Sequence, residues 1–220
     1  MNRYHEANRA LWNANAKIWK GYTDKAAKWR LWHKDPSIRF NEVELGALGD
    51  MTGKTACVFA SGDNQAVFCL VGMGAKVTSV DISENQLQVA EERASELDLD
   101  VRFIRSDVAD IPELECEQFD LVFMGSGAIC WFSNLEAVCK EAARVLVVGG
   151  KLIIRDEHPF RKVWRKNVSQ FEIVRSYYDK GPRESSPEKS DLLPLGASRY
   201  GFNWTVSDQL RRFSPRVAKS

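Results

Sequence analysis

The sequence predicts an α/β protein with a doubly wound parallel sheet and helices on both faces, and three observations lead there. Short apolar runs bounded by turn residues alternate with segments whose apolar residues recur at helical spacing. Connections of that length join parallel strands right-handedly and cover both faces of a sheet. The third observation is the stretch 55–81, TACVFASGDNQAVFCLVGMGAKVTSVD, which organises the chain. It reads as a strand, a tight turn centred on Gly62, an apolar helix over 66–73 and a second strand closing on Asp81. That order opens a nucleotide-binding βαβ unit: the turn brings a ligand against helix N-terminal amides, and about 20 residues later an acid takes ribose hydroxyls.

Taken in order, residues 5–32 are helical in composition and hold Trp12, Trp19, Trp29 and Trp32, four of the seven tryptophans. Trp12 and Trp19 are one heptad apart and face one side of the helix, which suits anchoring on the core. Asp35-Pro36 reads as an N-cap followed by proline at the first helical position, with the helix running to about Leu48 and broken by Gly49, Asp50 and Gly53. After the 55–81 unit, Ser83-x-x-Gln86 is a capping box, followed by Leu87, Ala90, Ala94 and Leu97 at helical spacing. Residues 101–105 form the third strand, ending at Ser106-Asp107, and 119–124 the fourth, ending in Gly125-Ser126-Gly127. Ser133-x-x-Glu136 is a second capping box, and Gly149-Gly150 turns the chain into a fifth strand at 151–155. Residues 170–178 have strand character, 181–196 read as loop or disordered, and 198–210 lead into a last helix.

The ligand can be narrowed by what the turn lacks. Ala60, Ser61, Gly62, Asp63, Asn64 and Gln65 do not supply the three glycines of a dinucleotide fingerprint. A carboxylate at Asp63, about 6 Å from a phosphate charge at an effective dielectric near 20, costs roughly 3 kcal/mol per charge pair. A pyrophosphate is disfavoured, and with it a nicotinamide-dependent oxidoreductase. A phosphate-free nucleoside with cationic groups fits better, and S-adenosylmethionine is such a ligand.

The segments VFASGDNQAVFCLVGMGAKVTSVDIS, RFIRSDVADIP, FDLVFMGSGAICWF and ARVLVVGGKLIIRDEHP resemble, in order and spacing, the successive motifs of class I S-adenosylmethionine-dependent methyltransferases. The resemblance covers roughly 55–159. It departs in the glycine loop, where Val58 stands for the usual acid and Ala60 and Asn64 for the outer glycines. It implies a Rossmann-like sheet of five parallel strands in the order 3-2-1-4-5, with an N-terminal helical lid. Family members normally continue for two antiparallel strands, which are expected to be missing here. The chain is expected to be one domain: 1–50 a helical lid, 55–159 a cofactor-binding core and 160–220 a substrate-side segment. Its fifth strand is left as an edge or is covered by 170–178, so both monomer and homodimer stay open.

The resemblance also implies the sites. Asp81 takes the ribose, Asp107 the adenine amino group, and Ile82 and Val108 follow them in the cofactor set. Ala60, Ser61 and Gly62 present backbone to the amino-acid end, and Met124 and Gly125 lie next to the sulfonium. In the lid, Trp19 or Tyr22 sits near the methyl group, where a ring face attracts a cation. On the substrate side stand Tyr22, Trp131 and His158, with Asp156, Glu157, Tyr177 and Tyr178 as further lining residues. Methyl transfer from a sulfonium is an in-line displacement for which a general base is not obligatory. His158 can accept a proton at neutral pH, but a structural role is equally open and no other catalytic residue is assigned. Met-Gly-Ser-Gly after the fourth strand lacks the [N/D]-P-P-Y pattern that clamps exocyclic amines, which argues against nucleic-acid bases and glutamine side chains as substrates.

Composition sets the outer bounds. At 220 residues, 44% hydrophobic and 28% charged, the chain suits one globular domain, and 31 basic against 30 acidic residues give no field for steering nucleic acid. Cysteines 57, 69, 116, 130 and 139 form no C-x-x-C pair and read as reduced thiols. No apolar run reaches membrane-span length and no signal-like segment opens the chain, so a cytoplasmic location without membrane partners is expected. The function expected is methyl transfer from S-adenosylmethionine, leaving S-adenosylhomocysteine, to a small-molecule acceptor. The rival is a non-catalytic binder of the same cofactor that keeps Asp81 and Asp107.

Overall fold

A β-strand buried on both faces is apolar throughout, and its alternate residues feed two separate cores. In the computed structural model, which describes residues 1–26, 28–125, 127–164, 172–185 and 198–213, the central strands obey this rule. The strands β1 (Thr55–Phe59), β2 (Lys76–Asp81), β3 (Val101–Arg105), β4 (Phe119–Met124) and β5 (Leu146–Ile154) form one parallel sheet in the order β3-β2-β1-β4-β5. Ala56 and Val58 of β1 pack into one core with Trp29, Trp32, Phe40, Leu48 and helix α3 (Gln65–Gly72). Cys57 and Phe59 pack into the other with Val122, Met124 and helix α5 (Leu135–Val145).

The chain reverses its direction across the sheet between β1 and β4, and a parallel sheet opens a crevice beyond the strand ends at that point. Over the crevice lies α1 (Arg3–Ala26). The α1 helix is pinned along its length to α4 (Glu84–Glu96): Arg9 forks onto Glu84 at 2.7 and 2.9 Å, and Asn13 Oδ1 accepts from the Ser83 hydroxyl at 2.6 Å. At its C-terminal end, buried Arg93 donates to Thr23 and Asp24 while its guanidinium lies 5.0 Å from the Trp29 ring. Trp29 and Trp32 therefore serve the core, whereas Trp12 and Trp19 face the crevice.

Several boundaries differ from those the sequence predicts. The helix expected after Asp35-Pro36 is two pieces: a 3-10 turn (Pro36–Ile38) capped by Asp35, then α2 (Glu42–Leu48) with a complete Asn41–Glu44 capping box. Burial of Phe40 and Arg39 breaks the chain between them. The α5 cap is Asn134 rather than Ser133, whose N–H and hydroxyl are engaged by His5. The fifth strand starts five residues before the expected 151, because Gly149 (φ 83°) and Gly150 form an irregularity inside the strand rather than a turn before it. Among residues 172–178, only Ile173 bridges Trp164, so no strand from this segment covers β5.

Within the expected loop, residues 183–185 are instead strand β6 (Arg183–Ser185), which pairs with β7 (Arg199–Gly201) in a separate antiparallel ribbon. Residues 186–196 of that loop lie outside the described residues. The helix α6 (Val206–Phe213) follows β7, as the sequence indicates. Among the described residues no helix is long and apolar enough to cross a membrane.

The Arg9 fork holds the Glu84 carboxyl at about 2, below its ordinary 4.5. A carboxyl depressed in the folded state stabilises above its unfolded value, and the contribution is lost as pH falls through the folded value. The docking of α1 is therefore expected to loosen between about pH 4.5 and 2. Hydrogen exchange of residues 3–26, corrected for intrinsic rates, should rise about two- to fivefold across that window, as fits a half-exposed pair. Arg9→Ala should remove this pH dependence.

Candidate functional site

The turn after β1 keeps a glycine-loop conformation with two non-glycine residues in it. Ala60, Gly62 and Asn64 have φ of 50°, 56° and 61°. Asparagine tolerates this region because its side chain bonds locally, and the fully buried Asn64 does so, donating to Gly62 O at 2.8 Å. Its Oδ1 lies 2.6 Å from the Ser79 hydroxyl, which is also 2.9 Å from Ser61 Oγ. This polar cluster beneath the loop, contributed by β2, takes over the shaping done elsewhere by glycine. Ala60 has no such compensation.

At the tip of β2, Asp81 receives two backbone amides: Gly62 N–H on Oδ2 at 2.8 Å and Ser83 N–H on Oδ1 at 2.9 Å. Burial raises its carboxyl from the usual range against the lowering effect of those donors. A carboxylate has about four lone-pair positions, so each oxygen keeps capacity for a further hydroxyl donor.

A second charged group occupies the other end of the crevice. Burial raises the Asp63 carboxyl, while the Gln65 N–H and the Arg39 charge act to lower it. Arg39 is buried, with its guanidinium 3.5 Å from Glu44, and burial followed by the nearby Arg155 charge lowers its pKa. Its approach depends on Gly125, because a Cβ there would sit 2.5 Å from Arg39 Nη2 and 2.8 Å from the Phe123 ring. The opposed charges of Arg39 and Asp63 can face the α-carboxylate and α-ammonium of an amino-acid group.

Together these residues bound a cavity of about 340 Å³ that also takes its wall from one face of α1: His5, Asn8, Trp12 and Trp19. Ala128, Trp131 and Phe132, from the segment after β4, also line it. Trp12 and Trp131 meet edge to face at 5.3 Å, which joins the α1 lining to that segment. Asp156, after β5, holds that segment by accepting from Ile129 N at 2.9 Å. At the β3 end, Asp107 Oδ2 is 2.5 Å from His5 Nδ1 and Oδ1 accepts from Ala109 N at 3.1 Å.

Of the residues singled out from sequence, the cavity brings together Ala60, Ser61, Gly62, Asp81, Ile82, Asp107, Val108, Gly125, Trp19 and Trp131. Three stand elsewhere. The Met124 side chain points into the α5 core, since alternate residues of β4 face opposite layers. Tyr22 is 56% exposed, does not line the cavity and has its ring 6.1 Å from that of Trp19. His158 caps a 3-10 turn (Pro159–Val163), accepting from Phe160 N, and does not reach the cavity. Tyr177 is engaged by Val206 N, and Tyr178 is exposed. Sequence reasoning missed His5, Asn8 and Arg39; the polar residues 5, 8 and 15 fall at helical spacing on the same face as Trp12, which was the legible signal for the first two, and Arg39 carried none.

Residues 58–154 match the family model described as a methyltransferase domain. Over these residues the chain is similar to methyltransferase domains. Over 136 residues it is 31% identical to a demethylmenaquinone methyltransferase of Lactococcus lactis, covering 56% of this chain and 53% of that protein. A demethylmenaquinone methyltransferase of Staphylococcus aureus is 26% identical over 171 residues, or 77% of this chain and 68% of the relative. The chain thus spans about half to two thirds of the length of these curated relatives. A solved S-adenosylmethionine-dependent methyltransferase from Mesorhizobium loti shares the fold, with a TM-score of 0.60 at 22% identity over 76% of this chain and 75% of that one.

The strain at Ala60 is testable. Alanine in the left-handed region costs about 1 kcal/mol, so Ala60→Gly should raise the melting temperature by about 1–3 °C. Asn64→Gly, which removes the bonds to Gly62 and Ser79, should lower it.

Proposed function

We propose that the chain transfers the methyl group of S-adenosylmethionine to a small-molecule acceptor. The observation that carries this reading is a cavity with Asp81 at the tip of β2 and the positive-φ turn of residues 60–64 at the tip of β1. The ribose hydroxyls donate to the open positions on Asp81. The base lies between Ile82 and Val108, with Asp107 at its polar edge, and the amino-acid end meets the turn, Arg39 and Asp63. This order leaves the sulfonium near Gly125, facing the wall of Trp12, Trp19 and Trp131, whose ring faces attract a cation.

S-adenosylmethionine bound here would supply an electrophilic methyl group with S-adenosylhomocysteine as leaving group, and Trp12, Trp19 and Trp131 would orient a small acceptor towards it. The ionisable side chains lining the cavity, His5, Arg39, Asp63, Asp81 and Asp107, are all engaged at the cofactor end. The acceptor atom therefore arrives with an available lone pair, and catalysis rests on positioning and exclusion of water. The volume of the cavity favours a small acceptor, and the curated relatives are named for demethylmenaquinone. The free cysteines at 57, 69, 116, 130 and 139 support a reducing, cytoplasmic setting.

Calorimetric titration with S-adenosylmethionine and S-adenosylhomocysteine should show binding by the intact chain. Asp81→Asn, which preserves shape but halves the acceptor capacity, should weaken it about 10- to 100-fold. No binding by the wild type would overturn the proposal. With labelled cofactor and a metabolite panel, Trp131→Ala should raise KM for any acceptor found while leaving cofactor affinity within about threefold, since it removes wall area rather than a polar contact.

A further inference from the structure

We infer that His5, at the start of α1, is the residue that sets Asp107 for recognition of the cofactor's base. The inference rests on the reading above, in which the base lies at the Asp107 edge of the cavity.

The hydrogen bonds around the imidazole define its tautomer. A backbone N–H can only donate, and Ser133 N is 3.1 Å from His5 Nε2, so Nε2 carries a lone pair. The proton therefore sits on Nδ1 and is donated to Asp107 Oδ2 at 2.5 Å. His5 is 4% exposed and lines the cavity, so its ring is largely shielded from bulk water. The ring is also fixed from its own backbone, since Asn2 Oδ1 accepts from His5 N at 3.1 Å and Asn2 Nδ2 donates to Ser133 Oγ at 2.8 Å.

For Asp107 the consequence is orientational. Oδ1 is committed on one side to Ala109 N and Oδ2 on one side to His5, which fixes the carboxylate plane without filling it. The remaining position on each oxygen is available to a donor at the edge of a base seated on Ile82 and Val108. An exocyclic amine satisfies it, whereas a carbonyl oxygen at the same place would face the carboxylate lone pairs. His5 is thus a positioning residue for amine over carbonyl, acting through Asp107. Because it is anchored on α1, base recognition and closure of the helix over the cavity share one side chain.

The experiment compares S-adenosylhomocysteine with S-inosylhomocysteine, in which a carbonyl replaces the exocyclic amine, by calorimetry on the full chain. Wild type should prefer the adenosyl ligand by about tenfold or more, as expected for a hydrogen bond to a charged acceptor. In His5→Ala the preference should fall to about threefold or less. His5→Asn, whose amide N–H reaches the position of Nδ1, should keep most of it. Equal weakening of both ligands in His5→Ala, with the preference intact, would mean that His5 only docks α1, and would overturn the inference. Equal binding of the two ligands by wild type would overturn it as well. Failure of wild type to bind S-adenosylhomocysteine would instead refute the proposed function.

Discussion

A buried carboxylate has to find hydrogen-bond donors, and Asp81 finds them in two backbone amides from different parts of the chain. Gly62 N–H belongs to the turn after β1 and Ser83 N–H to the N-cap of α4, so this one side chain joins the two segments that form the floor of the crevice. The same geometry leaves lone pairs directed at the cavity. Holding the floor together and binding hydroxyls are consequently not competing uses of Asp81, because a carboxylate accepts more bonds than the backbone consumes.

The cavity exists only because α1 closes it. The sheet supplies an open crevice, as any doubly wound sheet does at its reversal point, and the helix supplies a roof of Asn8, Trp12 and Trp19. That roof is held by polar pins rather than by a continuous apolar seam: Arg9 on Glu84, Asn13 on Ser83, His5 on Asp107, and Arg93 on Asp24. The Arg9–Glu84 pair is partly exposed and contributes little by itself, whereas His5 and Arg93 are buried at their contacts. The C-terminal end of α1 is different, since Trp29 and Trp32 just beyond it are fully packed and give the helix a firm base.

The glycine loop shows how a local motif can change while its shape persists. A turn with three positive φ angles ordinarily calls for three glycines. Here Gly62 supplies one, Asn64 a second through its bonds to Gly62 and to Ser79 on the neighbouring strand, and Ala60 is held in place by the surroundings. Ser79 reads in the sequence as an ordinary strand residue. Its hydroxyl supports the loop only because β2 lies beside β1.

How much of this was legible follows from the range of each interaction. The five strands, the order of helices between them, Asp81, Asp107 and the Trp12–Trp19 face follow from spacing along the chain, because periodicity and turn chemistry act between near neighbours. Residues 183–185 read as loop and Ser133 as a helix cap, since their real partners, Arg199–Gly201 and His5, are distant in sequence. His158 stood at a strand end and was a reasonable acid–base candidate, yet backbone bonding turns it into a cap. Arg39 had no signal at all: it reaches the cavity because Phe40 beside it packs edge to face on Phe123 of β4 and Gly125 leaves room for a guanidinium. The sequence by itself determined the sheet and the acids at its strand tips, since both are set by local pattern. Only the tertiary structure decided which side chains meet across the cavity, because those meetings depend on the docking of α1 and on contacts between residues far apart in the chain.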